Sequence, residues 1–398
     1  MKAANVVQFA LGRNEPPSFL DAADVTRKLS PDASLFCYSA AALRARAALF
    51  KQGFPGEVSY AVKANPSTHV LATLAEAGIE VWDVASLEEM RAVRSVSRMA
   101  QFHYHNPVKS QSEIREAYVR FDCRRFAVDC IEELDKISGV LGKSHDIEIA
   151  VRFVLKREAS ASAHDFSSKF GANEAGAASL LRVAAARGFQ PVLTFHPGSQ
   201  CRAPAAYERH IAAAHRIAMA AGVTLVALNV GGGFPADYPN SPAPSLESFF
   251  EIIRKTTARL FGVGGVKVEC EPGRGMVASS HSLLTRIKLV RNGSEIFLND
   301  GIYGALLECA QVPELMPRVR AIQSGKPLHG TEAEYIAYGP TCDPLDVLPH
   351  RLRLPAGLEE GDYLEFLSLG AYGAATATRF NGYGTRDVVP VASWITSA

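Results

Sequence analysis

Short runs rich in β-branched and aromatic residues alternate with stretches of helical periodicity through the first two thirds of the chain. The strand-like runs are 58–64, 79–84, 101–105, 125–129, 147–155, 191–196, 224–230 and 266–271. Helical segments fit between most of them. One runs from Ser67 to Ala77, with Ser67 or Thr68 as N-cap, Val70, Leu71 and Leu74 on one face, and Gly78 at its C-terminal end. Another follows Ser86, which stands at capping-box spacing from Glu89. Repeated strand–helix units predict a parallel sheet. Eight units in about 220 residues have the dimensions of a (β/α)8 TIM barrel.

Past about residue 277 the pattern changes. The runs 283–290, 295–298, 333–338, 363–367 and 388–391 are β-like and separated by Gly and Pro, and helical periodicity becomes scarce. They predict a second, mostly antiparallel β-domain, which the run 35–38 could join. The expected fold class is therefore α/β, with residues 36–277 forming the barrel. Residues 1–35 with 278–398 form the second domain.

Composition narrows the function classes. Of the 398 residues, 47% are hydrophobic and 21% charged, which is enough for a large packed core. The net charge of +1 provides no nucleic-acid footprint, and no polybasic run suits a membrane surface. No apolar run reaches spanning length, and the first residues lack the long apolar core of a signal peptide. The seven cysteines are scattered, odd in number and without a CxxC pair. Neither a disulfide framework nor a metal site is expected, and a reducing cytoplasmic setting fits.

A barrel places its chemistry at the C-terminal ends of its strands. There this chain carries Lys63 and Asn65, then Asp83, Asp129, Arg152 and His196. They are followed by the run Gly231-Gly232-Gly233, and by Glu271 and Arg274. Taken singly, most of these have plain readings: a strand-end lysine is commonly a solvated rim residue, and His196 alone would be a core histidine. Their joint occurrence at equivalent strand ends changes the balance. Three glycines after a buried strand expose backbone N–H groups to a ligand and suit a phosphate. The run is not GxGxxG and no Walker lysine follows, so dinucleotide and P-loop readings lose support. A carboxylate such as Glu271 can hold a proton on a pyridine nitrogen. A lysine, a phosphate cradle and such a carboxylate are the parts that pyridoxal phosphate needs.

The ordered motifs resemble those of the barrel-type (alanine-racemase-fold, fold type III) pyridoxal-phosphate decarboxylases, and within them the ornithine decarboxylase branch. The likeness runs from about residue 35 to 385. Its motifs are Tyr60-Ala-Val-Lys-Ala-Asn65, Asp83-Val-Ala-Ser86, Ser168-Lys-Phe-Gly171, His196-Pro-Gly-Ser199, Gly231-Gly-Gly-Phe-Pro235, Glu271-Pro-Gly-Arg274, Asn299-Asp-Gly301, Gly339-Pro-Thr-Cys-Asp343, Gly370-Ala-Tyr372 and Phe380-Asn-Gly382. The resemblance implies that Lys63 forms the Schiff base, His196 stacks on the cofactor ring and Glu271 contacts the pyridine nitrogen. It implies a phosphate cradle of Ser199, Gly231, Gly232, Gly233, Arg274 and Tyr372, and gives Asp83, Glu89 and Arg152 supporting places around the lysine and the ring. Cys342 would return a proton to the α-carbon. Asp343 would bind the distal ammonium of a small amino-acid substrate, with Tyr303 and Phe380 beside it. In this family Cys342 and Asp343 reach into the partner subunit's site, so a homodimer is implied. The implied reaction is decarboxylation of a basic amino acid, first L-ornithine to putrescine in polyamine biosynthesis.

Two departures stand out. Pro197 follows the motif histidine, where an apolar residue, often Val, is usual. The second acidic residue expected for the distal amine has no clear counterpart, although Glu308 and Glu314 lie in that stretch. Lysine or another diamino acid therefore stays open as substrate. A racemase of the same barrel family predicts a second acid/base residue in place of Cys342-Asp343. A non-catalytic cofactor carrier lacks the β-domain.

Overall fold

The structure is a computed structural model and describes residues 19–142, 145–155 and 169–394. By its contacts the chain divides into two units. One comprises Ala47–Pro235 and Ala243–Met276; the other comprises the chain up to Arg46, Ala236–Pro242 and the chain from Val277.

The first unit is a (β/α)8 barrel. Its parallel strands run Glu57–Val58, Tyr60–Ala61, Val81–Val84, Gln101–Tyr104, Arg125–Val128, Glu148–Arg152, Gln190–Thr194, Ala227–Asn229 and Lys267–Cys270. The first two are halves of one strand interrupted at Ser59. One half pairs with the last strand and the other with Val81–Val84, so the ring closes. Both the N–H and the hydroxyl of Ser59 donate to the Cys270 carbonyl at 2.9 Å, which covers the gap. The strands are buried on both faces, since helices cover the outside and side chains fill the inside.

Most expected strands are found, with shifted ends. The run 58–64 is the main correction: the strand stops at Ala61, and Val62–Ala64 form a 3-10 turn. The Asn65 N–H donates to the Val62 carbonyl at 3.1 Å, and the Tyr60 hydroxyl to the Asn65 carbonyl at 3.1 Å. The run 224–230 narrows to Ala227–Asn229. Helix Thr68–Glu76 follows Ser67, and Leu87–Val96 follows Ser86. The capping box at Ser86 is only half made. Ser86 Oγ accepts from the Glu89 N–H, but the Glu89 carboxylate turns to the Ala85 N–H at 2.6 Å. The complete box is Ser110 with Glu113.

Two-residue alternation stacks the inward side chains in layers. Ala127, Ala150, Val192 and Ala227 form a small apolar middle layer. On the side of the strand starts lies a buried ion network. Arg125 binds Glu269, with one contact at 3.0 Å, and also Glu148. Lys267 lies 3.0 Å from both Glu57 and Glu269. Burial works to raise the Glu269 pKa, but Arg125 and then Lys267 overcome it and hold the carboxyl low. Its stabilisation is thus complete above the ordinary glutamate pKa and fades as pH falls through the lowered folded value. Glu269→Leu is expected to cost about 3 kcal/mol at neutral pH, because it leaves Arg125 buried with half its partners. Urea unfolding monitored at several pH values would read both the loss and its disappearance in acid.

The second unit holds a nine-stranded mixed sheet, mostly antiparallel. Its long strand His281–Arg291 pairs with Tyr363–Phe366 over its first half. It pairs with Glu295–Leu298 over its second, with the register shifting between Ile287 and Leu289. Leu35–Tyr38 joins the sheet, antiparallel to His281–Arg291 and parallel to Val388–Pro390. Strands Val319–Gln323, Lys326–Pro327 and Leu352–Pro355 are additional to the expected runs. The apolar core of this unit includes Leu283, Ile287, Ile296, Leu298, Leu364 and Phe366. No described helix of the chain is long and apolar enough to cross a membrane.

Candidate active site

The barrel strands deliver a cluster of polar side chains to one end. Lys63, on the turn after the first strand, donates from Nζ to Asp83 Oδ2 at 3.0 Å. Asp83 is fully buried on the strand Val81–Val84. Glu271 follows the last strand, and its Oε2 accepts from Asn229 Nδ2 at 3.0 Å and meets His105 Nδ1 at 2.7 Å. Both contacts fall on Oε2, which leaves Oε1 to face a ligand. Asn229 is itself fixed, since its Oδ1 accepts from the Gly231 N–H at 2.7 Å.

The electrostatics follow from this crowding. Burial, and next the charge of Glu271, push Asp83 upward against the pull of Lys63. Burial also works to raise Glu271, but His105, through charge and hydrogen bond, and then Lys63 outweigh it. Glu271 therefore stays ionised, which a partner for a protonated ring nitrogen requires. Arg152 ends its strand within electrostatic reach of Glu271, Asp83 and Asp129. Asp129 accepts from the Gly171 N–H at 2.9 Å. Ser168, of the same expected motif, lies outside the described residues. Burial, then Arg152 and Lys63, push His196 down to about 3, so its ring is neutral. Its Nδ1 accepts from the Gly198 N–H at 3.0 Å, which puts the ring proton on Nε2.

The glycine run closes against His196. A Cβ on Gly231, whose φ is +73°, would stand 2.0 Å from the Phe195 carbonyl oxygen. One on Gly232 would meet the Glu271 carbonyl oxygen at 2.8 Å and His196 Nε2 at 3.2 Å. The loop is anchored by its carbonyls: Tyr207 Oη donates to Gly232 O at 2.7 Å and Cys201 N–H to Gly233 O at 2.8 Å. The N–H groups of Gly232 and Gly233 have no acceptor among the described residues, so they are available to an anion. Ser199 and Arg274 are buried. Pyridoxal phosphate fits these residues: a lysine for its aldehyde, a carboxylate for its ring nitrogen, a neutral imidazole for its ring face and bare amides for its phosphate. Asp83, His105 and Glu271 also offer ligand atoms within 4.8 Å of one another, as a metal site would. The Lys63 ammonium already supplies the cation there. Gly232→Ala should raise the cofactor dissociation constant about tenfold, a change of about 1.4 kcal/mol. Fluorescence titration with pyridoxal phosphate measures it.

The remaining expected residues belong to the second unit. Tyr303 Oη donates to Asp343 Oδ2, and the Tyr303 and Phe380 rings are 5.0 Å apart. That hydroxyl and the Leu345 N–H hold Asp343 below its ordinary pKa. Cys342 is exposed, with Sγ 3.5 Å from Asn381 Oδ1. Asp346 pins this loop by accepting from the Thr341 N–H at 3.0 Å, the Thr341 hydroxyl at 2.7 Å and the Ile302 N–H at 3.0 Å. Tyr372 adopts a left-handed conformation before the short helix Gly373–Thr376.

Sequence reasoning missed His105, Asn229 and Asp346. Alternation could have found Asn229, which lies two residues before Gly231. Asp346 carries no such signal.

Residues 40–278 match the family model of the pyridoxal-dependent decarboxylase, pyridoxal binding domain. The chain is 33% identical over 339 residues to a lysine/ornithine decarboxylase of Selenomonas ruminantium, covering 82% of this chain and 81% of that one. It superposes on the arginine decarboxylase of Paramecium bursaria Chlorella virus with a TM-score of 0.82 and 26% identity, covering 92% and 98% of the two chains. For a lysine/ornithine decarboxylase of Vibrio vulnificus complexed with putrescine, the TM-score is 0.79 at 26% identity, covering 94% and 99%. With the model spanning more than half its length and a relative of this identity along most of it, this chain belongs to the pyridoxal-dependent decarboxylases.

Proposed function

We propose that the protein decarboxylates a basic amino acid, L-ornithine first, and releases the diamine putrescine for polyamine synthesis. The observation that carries this reading is the facing of Lys63, Asp83 and ionised Glu271 at one barrel end. Relatives named lysine/ornithine decarboxylase and ornithine decarboxylase support the substrate class.

Pyridoxal phosphate, when bound, withdraws the electron pair left at the α-carbon as carbon dioxide departs. The chain's residues organise that event. Lys63 would hold the cofactor through its Nζ, the atom that faces Asp83. Glu271 keeps a proton on the ring nitrogen, and the neutral ring of His196 packs on the ring face. Ser199, Gly231, Gly232, Gly233, Arg274 and Tyr372 hold the phosphate, while Asp83 and Arg152 steady the lysine and ring. Cys342 returns a proton to the α-carbon. Asp343 takes the distal ammonium, with Tyr303 and Phe380 flanking the substrate chain. Asp343 is half-buried and held ionised, which suits an ammonium partner. Two copies of the chain share their sites, with Cys342 and Asp343 serving the partner's lysine. Seven cysteines outside any disulfide support a reducing, cytoplasmic setting.

A second reading, lysine as substrate, is favoured by one feature. Of the two candidate replacements for the second distal carboxylate, Glu308 is half-buried and Glu314 is exposed on the turn Pro313–Leu315. A single carboxylate sets chain length less strictly than two. Carbon dioxide release from ornithine, lysine, arginine and diaminopimelate ranks the substrates. Ornithine should lead with lysine second. Release from none of them would contradict the proposal and favour the racemase or carrier reading.

A further inference from the structure

His105 is used by no part of the reaction as derived so far, yet it stands at the centre of the site. Its N–H donates to the Val84 carbonyl at 3.1 Å, which fixes its backbone at the end of the strand Gln101–Tyr104. Its Nδ1 lies 2.7 Å from Glu271 Oε2 and 3.4 Å from Asp83 Oδ1. A ring nitrogen facing two carboxylate oxygens carries the proton. Nε2 is buried and has no hydrogen-bond partner. The His103 ring lies 5.3 Å away and tilted by 33°. The charged and titratable groups around His105 are thus Asp83 from the neighbouring strand Val81–Val84, Glu271 from the end of the non-adjacent strand Lys267–Cys270, and His103 from its own strand. Lys63 is reached through Asp83, and Arg152 lies within electrostatic range of both carboxylates.

Asp83 and Glu271 are both buried and repel each other. Asp83 has Lys63 on Oδ2, and Glu271 has Asn229 on Oε2. The His105 Nδ1–H is the group that both carboxylates face. Remove it, and two buried like charges remain side by side, so one takes up a proton.

We propose that His105 is a positioning residue for the cofactor: its Nδ1–H, held between Glu271 and Asp83, keeps both carboxylates ionised and aims Glu271 Oε1 at the ring nitrogen. This inference rests on the cofactor reading of Lys63 and Glu271 and adds to it the group that sets their charge state. A hydrogen bond to a charged group of this kind is worth about ten- to hundredfold in binding.

The test uses the cofactor-loaded enzyme and three variants. Asn at this position carries an amide where Nδ1 stands, Gln carries it where Nε2 stands, and Leu carries none. H105L and H105Q should raise the dissociation constant of pyridoxal phosphate about tenfold or more. They should also move the pH titration of the bound cofactor's absorbance upward, since both carboxylates become more basic. H105N should stay within about threefold of the parent and keep its titration midpoint. A purely packing role would leave H105N as impaired as H105L, and that result overturns the proposal, as does an H105L indistinguishable from the parent. If H105L does not fold, the contrast between H105N and H105Q decides alone. Borohydride labelling of Lys63 in the parent separates the two levels. If Lys63 is not labelled, the cofactor reading fails. If it is labelled and the variants do not differ, only the role of His105 fails.

Discussion

Lys63→Ala is expected to lower decarboxylation about 10³-fold or more while leaving the fold intact. The two halves of that expectation have separate causes. Activity falls because the covalent hold on the cofactor and the proton-carrying amine vanish together, and each kind of group contributes several orders of magnitude. The fold persists because the Lys63 side chain is 45% exposed, so little apolar burial depends on it. Its loss does expose Asp83 to uncompensated repulsion from Glu271, which Asp83 relieves by taking a proton. Steady-state carbon dioxide release and a thermal melt check both halves. A variant retaining more than about a tenth of parental turnover would contradict the assignment.

Glu271→Gln is the second large effect, and it is the more diagnostic. The amide is nearly isosteric but cannot stabilise a positive ring nitrogen. The loss should appear in kcat, about two to three orders of magnitude, as for removal of other groups aimed at developing charge. KM should move little, because the substrate's own ammonium and carboxylate do not meet this side chain in the mechanism proposed. The surrounding donors also predict a rotamer. Asn229 Nδ2 and His105 Nδ1 both point at Oε2, so the Gln amide oxygen should occupy that position and its NH2 should face the ring. Two donors would then oppose each other at the ring nitrogen, which strips its proton. A kcat within about tenfold of the parent would contradict this role.

The barrel was legible because its strands are short, β-branched and separated by capped helices, and each chemical residue recurs at a strand end. The turn Val62–Ala64 was not legible. Val, Lys and Ala carry no turn chemistry, and what bends the chain is non-local, including the pairing of Ala61 with the Pro272 carbonyl. Strands Val319–Gln323 and Leu352–Pro355 escaped notice because they are half exposed, interleave Arg320 and Arg353 with apolar residues, and sit near proline. The positions of Lys63, Asp83, Arg152, His196 and Glu271 could be read from the pattern. His105 could not be singled out: in Tyr-His-Asn-Pro a lone histidine at a strand end has a plain core reading, and its meaning depends on Asp83 and Glu271 arriving from other strands.

The most direct measurement is borohydride reduction of the cofactor-loaded protein followed by peptide mapping. The account predicts one labelled peptide, carrying the reduced cofactor on Lys63. A label on another lysine, or protein that binds pyridoxal phosphate with no lysine labelled, would contradict it.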